Sequence, residues 1–202
     1  MVLSEFKIVS FCVVGMVDFI PNSFLISMHS FILHCTVKTC DLFDRPVQSG
    51  MADWCQENDI SLIAFGTVGS GILSEKYLGR GAPVQEEKNT ASMRMYSKTA
   101  ERFGSWKLVQ ELLQTMDAIA GDVRSTGRCE NANIANVAQR YVLDTKSVAS
   151  VLIGVRNRNH IEENVRTHSF ELSSGERDAI TQVLAKRKGP IGDVWDIERG
   201  TA

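Results

Sequence analysis

The sequence predicts an α/β fold in which parallel strands alternate with amphipathic helices. Two short apolar runs, at residues 60 to 65 and 148 to 153, each end at a glycine and are typical of buried strands. Between and after these runs, apolar residues recur at helical spacing. Because strands that are separated by helices pair in parallel, we expect the two runs to lie side by side in one sheet.

Turn residues and apolar periodicity predict the helices in chain order. Ser49 is a candidate N-cap for a helix through about Asn58, and a short helix follows the first strand near residues 72 to 78. Residues 79 to 98 are rich in Gly, Glu, Lys, Asn and Ser, which indicates a surface excursion. Three further helices are predicted at about residues 100 to 120, 132 to 144 and 158 to 166.

The two longer helices each have an apolar stripe that should face a core. The stripes comprise Trp106, Val109, Leu112, Leu113, Met116 and Ile119 in the first, and Ile134, Val137, Ala138, Tyr141 and Val142 in the second. A final helix begins at a capping box of Ser173 and Glu176 and buries Ile180, Val183 and Leu184. Gly189-Pro190 should end it, leaving a tail over residues 189 to 202.

Composition indicates an ordinary globular domain. Of the 202 residues, 44% are hydrophobic and 23% are charged, and the net charge of -2 provides no basic surface for nucleic acid or an anionic membrane. The five cysteines form no C-x-x-C pair, so neither a disulfide framework nor a zinc site is predicted. We therefore expect a reducing compartment, the cytoplasm, with Cys55 as a small buried hydrophobic residue.

Residues 1 to 35 differ from the rest of the chain, because Lys7 and Asp18 are the only charges between residues 6 and 35. Glu5 and the lack of a small-residue cleavage site oppose a signal peptide, and Asp18 and Pro21 interrupt any span of about 20 apolar residues. We interpret this segment as an aberrant amino terminus in front of a domain at residues 36 to 188. A membrane-tethered interaction protein is an alternative that depends on this segment alone.

Three separated motifs resemble those of the aldo-keto reductase family, in the family's order. They are Asp41-Leu-Phe-Asp-Arg-Pro46 with Gly50-Met-Ala-Asp-Trp-Cys-Gln-Glu-Asn58, then Ile60-Ser-Leu-Ile-Ala-Phe-Gly-Thr-Val-Gly-Ser-Gly-Ile-Leu-Ser-Glu-Lys-Tyr77, then Val151-Leu-Ile-Gly-Val-Arg-Asn-Arg-Asn-His-Ile-Glu-Glu-Asn164. They look like the sixth strand's end with its helix, the seventh strand with its phosphate loop, and the eighth strand with the adenosine-binding helix. The resemblance covers about residues 40 to 185.

This resemblance implies a partial (β/α)8 TIM barrel with roughly strands six to eight, in an NADP-dependent oxidoreductase that reduces small aldehydes or ketones. The family's catalytic Asp, Tyr, Lys and His lie on the first five strands, so no residue here takes a catalytic role by motif. We therefore expect the chain to be inactive alone and to self-associate through exposed barrel edges. The alternative is a non-catalytic NADP-binding fragment or regulatory remnant.

The resemblance also implies cofactor-binding residues in two places. Val68, Gly69, Ser70 and Gly71 correspond to the phosphate loop, where glycines let backbone N–H groups approach a pyrophosphate closely. The residues that correspond to the adenosine site are Arg156, Asn157, His160, Glu163 and Asn164. Asn157 is also a candidate N-cap for the helix that begins near Arg158. An ordinary turn and a solvated basic helix start are the structural alternatives.

The match weakens at the nicotinamide end. Thr36 and Val37 align with an Asn-Gln pair of the family, and Cys40 aligns with its stacking aromatic residue. Valine has no amide to bind a carboxamide, and a thiol offers less stacking area than a ring. We therefore expect any nucleotide affinity to favour NADP over NAD and to come mainly from the adenosine end.

Overall fold

The computed structural model describes residues 35 to 39, for which it gives the backbone, and residues 51 to 155 and 158 to 189. The apolar segment at residues 1 to 35 lies outside these ranges except for Cys35, as does the tail except for Gly189. The strands are β1 (Cys35–Thr39), β2 (Ser61–Phe65) and β3 (Val148–Leu152). The helices are α1 (Met51–Glu57), α2 (Ala91–Phe103), α3 (Trp106–Ser125), α4 (Ile134–Leu143), α5 (Asn159–Val165) and α6 (Ser174–Leu184).

The three described strands form one parallel sheet in the order β1-β2-β3. Phe65, the last residue of β2, is paired with Thr39 on one side and with Leu152 on the other. All three strands therefore end at the same edge of the sheet. The expected parallel pairing of residues 60 to 65 with 148 to 153 is confirmed, and α2, α3 and α4 lie between them in the chain.

The region from residue 79 to 120 departs from the prediction. Residues 91 to 98 are not part of a surface excursion but belong to α2, and the single helix expected from residue 100 is the end of α2 followed by α3. The Thr90 hydroxyl accepts from the Met93 N–H at 3.1 Å and caps α2. Polar residues on the exposed face obscured an apolar face of Tyr96, Ala100 and Phe103.

The core lies where α3 packs against α4 and α6. The expected apolar stripes of α3, α4 and α6 are buried, except that Trp106 is only partly buried. Its ring meets that of the fully buried Tyr77 edge-on, with centroids 6.3 Å apart. Where a short helix was predicted near residues 72 to 78, the structure has a single 3₁₀ turn, Glu75–Tyr77, and another turn of this kind, Gly69–Gly71, precedes it.

The capping box at the start of α6 is confirmed. The Ser173 hydroxyl accepts from the Glu176 N–H at 3.3 Å, and the Glu176 carboxylate accepts from the Ser173 N–H at 2.7 Å. The same carboxylate accepts two bonds from the Arg128 guanidinium, at 2.6 and 3.1 Å. Arg128 follows α3, so this pair connects the end of α3 to the beginning of α6.

Cys55 and Cys129 are free and buried. Cys55 is 1% exposed, as expected for a small buried hydrophobic residue, and this burial raises the pKa of its thiol. In the part of the chain that the structure describes, no cluster of three His, Cys, Asp or Glu side chains could hold a metal ion. Within the same ranges, no helix has the length and apolar content that crossing a bilayer requires.

Candidate functional site

The ends of β2 and β3 bring the two predicted cofactor regions to one edge of the sheet. Phe65 and Leu152 are register partners and are the last residues of their strands. Neighbouring strands lie about 4.8 Å apart, so the segments that begin at Gly66 and Ile153 leave the sheet side by side. The carboxyl edge of a parallel sheet is where barrel enzymes build their sites.

The loop after β2 follows a left-handed path. Four of its residues have positive φ angles, namely Gly66 (81°), Gly69 (53°), Ser70 (57°) and Gly71 (89°). The N–H groups of Gly69 and Gly71 donate within the loop, to the Gly66 and Val68 carbonyls, both at 2.9 Å. They are therefore not directed at a ligand, as free loop N–H groups would be. At Gly71, however, no described atom outside Gly71 and its two chain neighbours lies within 4 Å of the position that a Cβ would take, so a phosphate could approach the backbone there.

Helix α2 packs directly on this loop through Tyr96. A Cβ added at Gly66 would lie 2.1 Å from the Tyr96 hydroxyl oxygen and 2.9 Å from its Cζ. Tyr96 is only 5% exposed, so the ring cannot swing into solvent without opening the core. Tyr96 is not among the predicted site residues, because the sequence predicts a surface excursion over residues 79 to 98. The spacing of Tyr96, Ala100 and Phe103 at i, i+4 and i+7 was the available signal.

The segment after the loop is fixed to α3 by one amide and one indole. The Gln110 side chain accepts from the Gly79 N–H at 2.7 Å and donates to the Tyr77 carbonyl at 2.8 Å. The Trp106 Nε1 donates to the Arg80 carbonyl at 2.7 Å. These bonds satisfy backbone groups that would otherwise need water, and they hold residues 77 to 80 against a rigid helix.

Glu75 connects the same segment to α4. Its carboxylate accepts from the N–H of Ile134, the first residue of α4, at 2.7 Å. A carboxylate at this end of a helix also interacts favourably with the helix dipole. Asn133 and Asn136 form a reciprocal capping box beside it, at 2.8 and 3.2 Å. The start of α4 is therefore held from two sides.

The predicted adenosine region lies partly within the described residues. Arg156 and Asn157 lie outside them, so the expected N-cap role of Asn157 remains a prediction. At Gly154, which follows β3, no described atom outside Gly154 and its two chain neighbours lies within 4 Å of the position that a Cβ would take, so there is room for a ligand beside the backbone. Helix α5 begins at Asn159, one residue later than expected, and Arg158 before it is exposed.

Three predicted adenine-contacting residues lie on α5 in two different environments. The His160 Nδ1 lies 2.7 Å from the Glu163 carboxylate, and both side chains remain accessible, with exposed fractions of 43% and 39%. Asn164 is 8% exposed, and its Oδ1 accepts from the Gln139 Nε2 at 2.9 Å. His160 and Glu163 are therefore surface groups, whereas the Asn164 amide is fixed by α4.

Comparison with known proteins identifies relatives over this same region. The sequence model of the aldo/keto reductase family matches residues 32–185. Protein tas of Escherichia coli (strain K12) is 28% identical over 145 residues, covering 70% of this chain and 38% of that protein. The L-glyceraldehyde 3-phosphate reductase of the same strain is 26% identical over 144 residues, covering 68% of this chain and 37% of that protein. The chain thus spans less than two fifths of the length of these relatives.

Solved structures show the same architecture. The glycerol dehydrogenase AKR11B4 from Gluconobacter oxydans has a TM-score of 0.59 at 16% identity, covering 78% of this chain and 44% of that one. The aldo-keto reductase AKR11C1 from Bacillus halodurans, in its holo form, has a TM-score of 0.50 at 18% identity, covering 74% and 41%. These likenesses confirm that the α/β fold is part of a (β/α)8 barrel. Because the family model matches most of this chain, residues 32–185, the chain belongs to the aldo/keto reductase family.

Proposed function

We propose that this chain provides the NADP-binding side of an oxidoreductase that reduces aldehydes or ketones. The observation that carries the proposal is the pairing of Phe65 with Leu152, which puts the glycine loop after β2 beside the segment that leads from β3 into α5. One ligand that has a pyrophosphate and an adenosine could contact both segments at once. Aldo/keto reductases generally depend on NAD(P)H, which agrees with a ligand of this kind.

The residues at this edge have the chemistry that such a ligand requires. The open side of Gly71, within the loop of Val68, Gly69 and Ser70, can receive the pyrophosphate. Arg156, Asn157 and Arg158 would lie near the adenosine ribose and its 2'-phosphate. His160 offers a planar ring for the adenine, and Glu163 and Asn164 offer polar contacts to it. In this arrangement cationic groups would meet the 2'-phosphate, whereas the open side of Gly71 would meet the pyrophosphate.

We infer that the preference is for NADP over NAD. The 2'-phosphate carries nearly two negative charges, and charge-assisted hydrogen bonds from Arg156 or Arg158 would each contribute about 1.5 to 3 kcal/mol, one to two factors of ten in affinity. At the nicotinamide end, Thr36 and Val37 replace an Asn-Gln pair and Cys40 replaces a ring. The adenosine end should therefore dominate binding.

A second candidate function is nucleotide binding without turnover by this chain alone. When bound, the reduced cofactor would supply a hydride to a carbonyl carbon, and the family uses a tyrosine to supply the proton. All three tyrosines of this chain, Tyr77, Tyr96 and Tyr141, are at most 5% exposed and are packed in the core. Buried in this way, none of them is placed to donate a proton to a substrate carbonyl, which supports nucleotide binding without turnover by this chain alone.

Titration of the purified chain with NADP, NAD and adenosine 2',5'-bisphosphate tests the binding proposal. We expect NADP and the bisphosphate to bind and NAD to bind at least about tenfold more weakly, with Arg156→Ala removing most of the difference. Arg102→Ala, which removes an exposed arginine of α2, is the matched control and should change nothing. If NAD binds as tightly as NADP, or the bisphosphate does not bind, the proposed adenosine site is wrong.

An activity assay separates the two candidate functions. The binding-only proposal expects no oxidation of NADPH by the purified chain in the presence of small aldehydes or ketones. Sustained oxidation would show that the chain is catalytic without a partner.

We further propose a cytoplasmic location, because the buried free thiols of Cys55 and Cys129 are usual in a reducing compartment.

A further inference from the structure

Four buried polar side chains connect α4 to α5 and to the 3₁₀ turn after it, Arg166–His168. They are Asn136, Gln139, Asn164 and Thr167, with exposed fractions of 1%, 1%, 8% and 0%. Buried polar groups are costly unless each donor and acceptor has a partner, so a connected set of this kind has a defined arrangement of donors. None of these four residues except Asn164 was identified from the sequence.

The hydrogen bonds in this set form a series in which each residue donates to the next, from Asn136 through Thr167 and Gln139 to Asn164. The Asn136 Nδ2 donates to the Glu163 carbonyl at 2.7 Å and to the Thr167 hydroxyl at 3.0 Å. The Thr167 hydroxyl has a single proton, which it donates to the Gln139 Oε1 at 2.5 Å. Because the Gln139 oxygen faces Thr167, its Nε2 faces Asn164 and donates to the Asn164 Oδ1 at 2.9 Å.

The starting point of this series is fixed by the capping box of α4. The Asn136 Oδ1 accepts from the Asn133 N–H at 3.2 Å, so the amide nitrogen of Asn136 is the end that faces α5. Reversing any one amide would place two donors or two acceptors face to face in a buried site. The orientation of Asn164 is therefore determined by residues on another helix.

We propose that Gln139 is a positioning residue that holds the Asn164 oxygen inward and leaves the Asn164 Nδ2 to donate to an acceptor nitrogen of the adenine. The proposal rests on the proposed function, which supplies the nucleotide. The ring nitrogens of adenine accept hydrogen bonds, so they suit the Asn164 nitrogen, which donates. The carboxylate of Glu163 can only accept. The two neighbouring residues then offer opposite functions, a donor from Asn164 and an acceptor from Glu163, to the same base.

A double-mutant cycle with adenosine 2',5'-bisphosphate as the ligand tests this assignment in the full chain. Asn164→Ala should weaken binding by about threefold to tenfold, the usual effect of losing one hydrogen bond. Gln139→Glu should have a similar effect, because the introduced carboxylate only accepts and draws the Asn164 nitrogen inward. In the Asn164→Ala background, Gln139→Glu should cause no further loss.

The control variants separate positioning from loss of structure. Gln114→Glu makes the same chemical change at an exposed site on α3 and should leave the affinity unchanged. The thermal midpoint without ligand is measured for each variant. If Gln139→Glu does not fold, Gln139→Met replaces it in the cycle, because methionine removes the donor to Asn164 without adding a buried charge.

The outcomes have distinct meanings. Losses that are not additive support the positioning role. If the bisphosphate binds but the losses from Gln139→Glu and Asn164→Ala simply add, Gln139 acts through general stability and the inference is overturned while the proposed function stands. Full affinity of Asn164→Ala also overturns it. Failure of the unaltered chain to bind the bisphosphate overturns the inference and the proposed function together.

Discussion

Gly66 shows how a single residue determines whether the loop after β2 can form. Its φ angle of 81° is in the left-handed region, which side chains with a Cβ rarely adopt. A Cβ added at Gly66 would lie only 2.1 Å from the Tyr96 hydroxyl oxygen. Glycine is therefore required at this position for two separate reasons, backbone conformation and the close approach of α2.

We expect Gly66→Ala to lower the free energy of unfolding by about 2 to 4 kcal/mol, because backbone strain and overpacking add. Gly79→Ala is the matched control, since Gly79 has a φ angle of 72° but no described atom outside its two chain neighbours would lie within 4 Å of an added Cβ. That variant should lose only about 1 kcal/mol. Thermal or urea unfolding measures both, and equal losses would show that the Tyr96 contact does not matter.

At the scale of elements, periodicity predicted what lies in the core but not where polar partners lie. Local spacing predicts the apolar stripes of α3 and α4 and the capping box of Ser173, and chain order predicts the pairing of β2 with β3. The start of α2 was missed because residues 79 to 98 are rich in Gly, Glu, Lys, Asn and Ser, which favour a surface excursion. Gln139 could not have been identified, since its partners Asn164 and Thr167 lie 25 and 28 residues away.

The α6 start depends on an ionised Glu176. Hydrogen bonding to Arg128 is the largest cause that lowers the pKa of Glu176 below its ordinary value, and bonds from Ser173 act in the same direction. A carboxyl group whose pKa is lower in the folded state stabilises the fold above its unfolded pKa of about 4.3, and the contribution is lost as the pH falls through the folded value. The connection between α3 and α6 should therefore weaken only in acid.

Glu176→Gln tests this dependence. At neutral pH the variant should be less stable than the unaltered chain by about 1 kcal/mol, a value reduced because the Arg128 side chain is one third exposed. Below a pH of about 4 the difference in the free energy of unfolding should shrink, because the Glu176 carboxylate of the unaltered chain becomes protonated. Urea unfolding across this range measures it, with Glu130→Gln as an exposed control. A difference that does not change with pH would contradict the assignment.

For the whole molecule, the main structural consequence of a partial barrel is that the described sheet ends in edge strands. Among the described strands, β3 pairs with β2 on one side only. Strand edges that lack a partner favour pairing with another chain. The next helix, α5, has Ile161 and Val165 one turn apart with exposed fractions of 42% and 48%. Each feature favours contact with an additional element or chain.

We therefore expect the purified chain to self-associate, with sedimentation velocity showing larger species as the protein concentration rises. Ile161→Lys combined with Val165→Lys should weaken association by about tenfold or more, since covering half of each side chain contributes roughly 1 kcal/mol. Met95→Lys, at a 49% exposed apolar site on α2, is the control. A single monomeric species at every concentration, or equal effects of both changes, would exclude association through α5. Retained association with unchanged strength in the double variant would instead place the contact away from α5, as at the backbone of an edge strand of the described sheet, β1 or β3, which these substitutions do not alter.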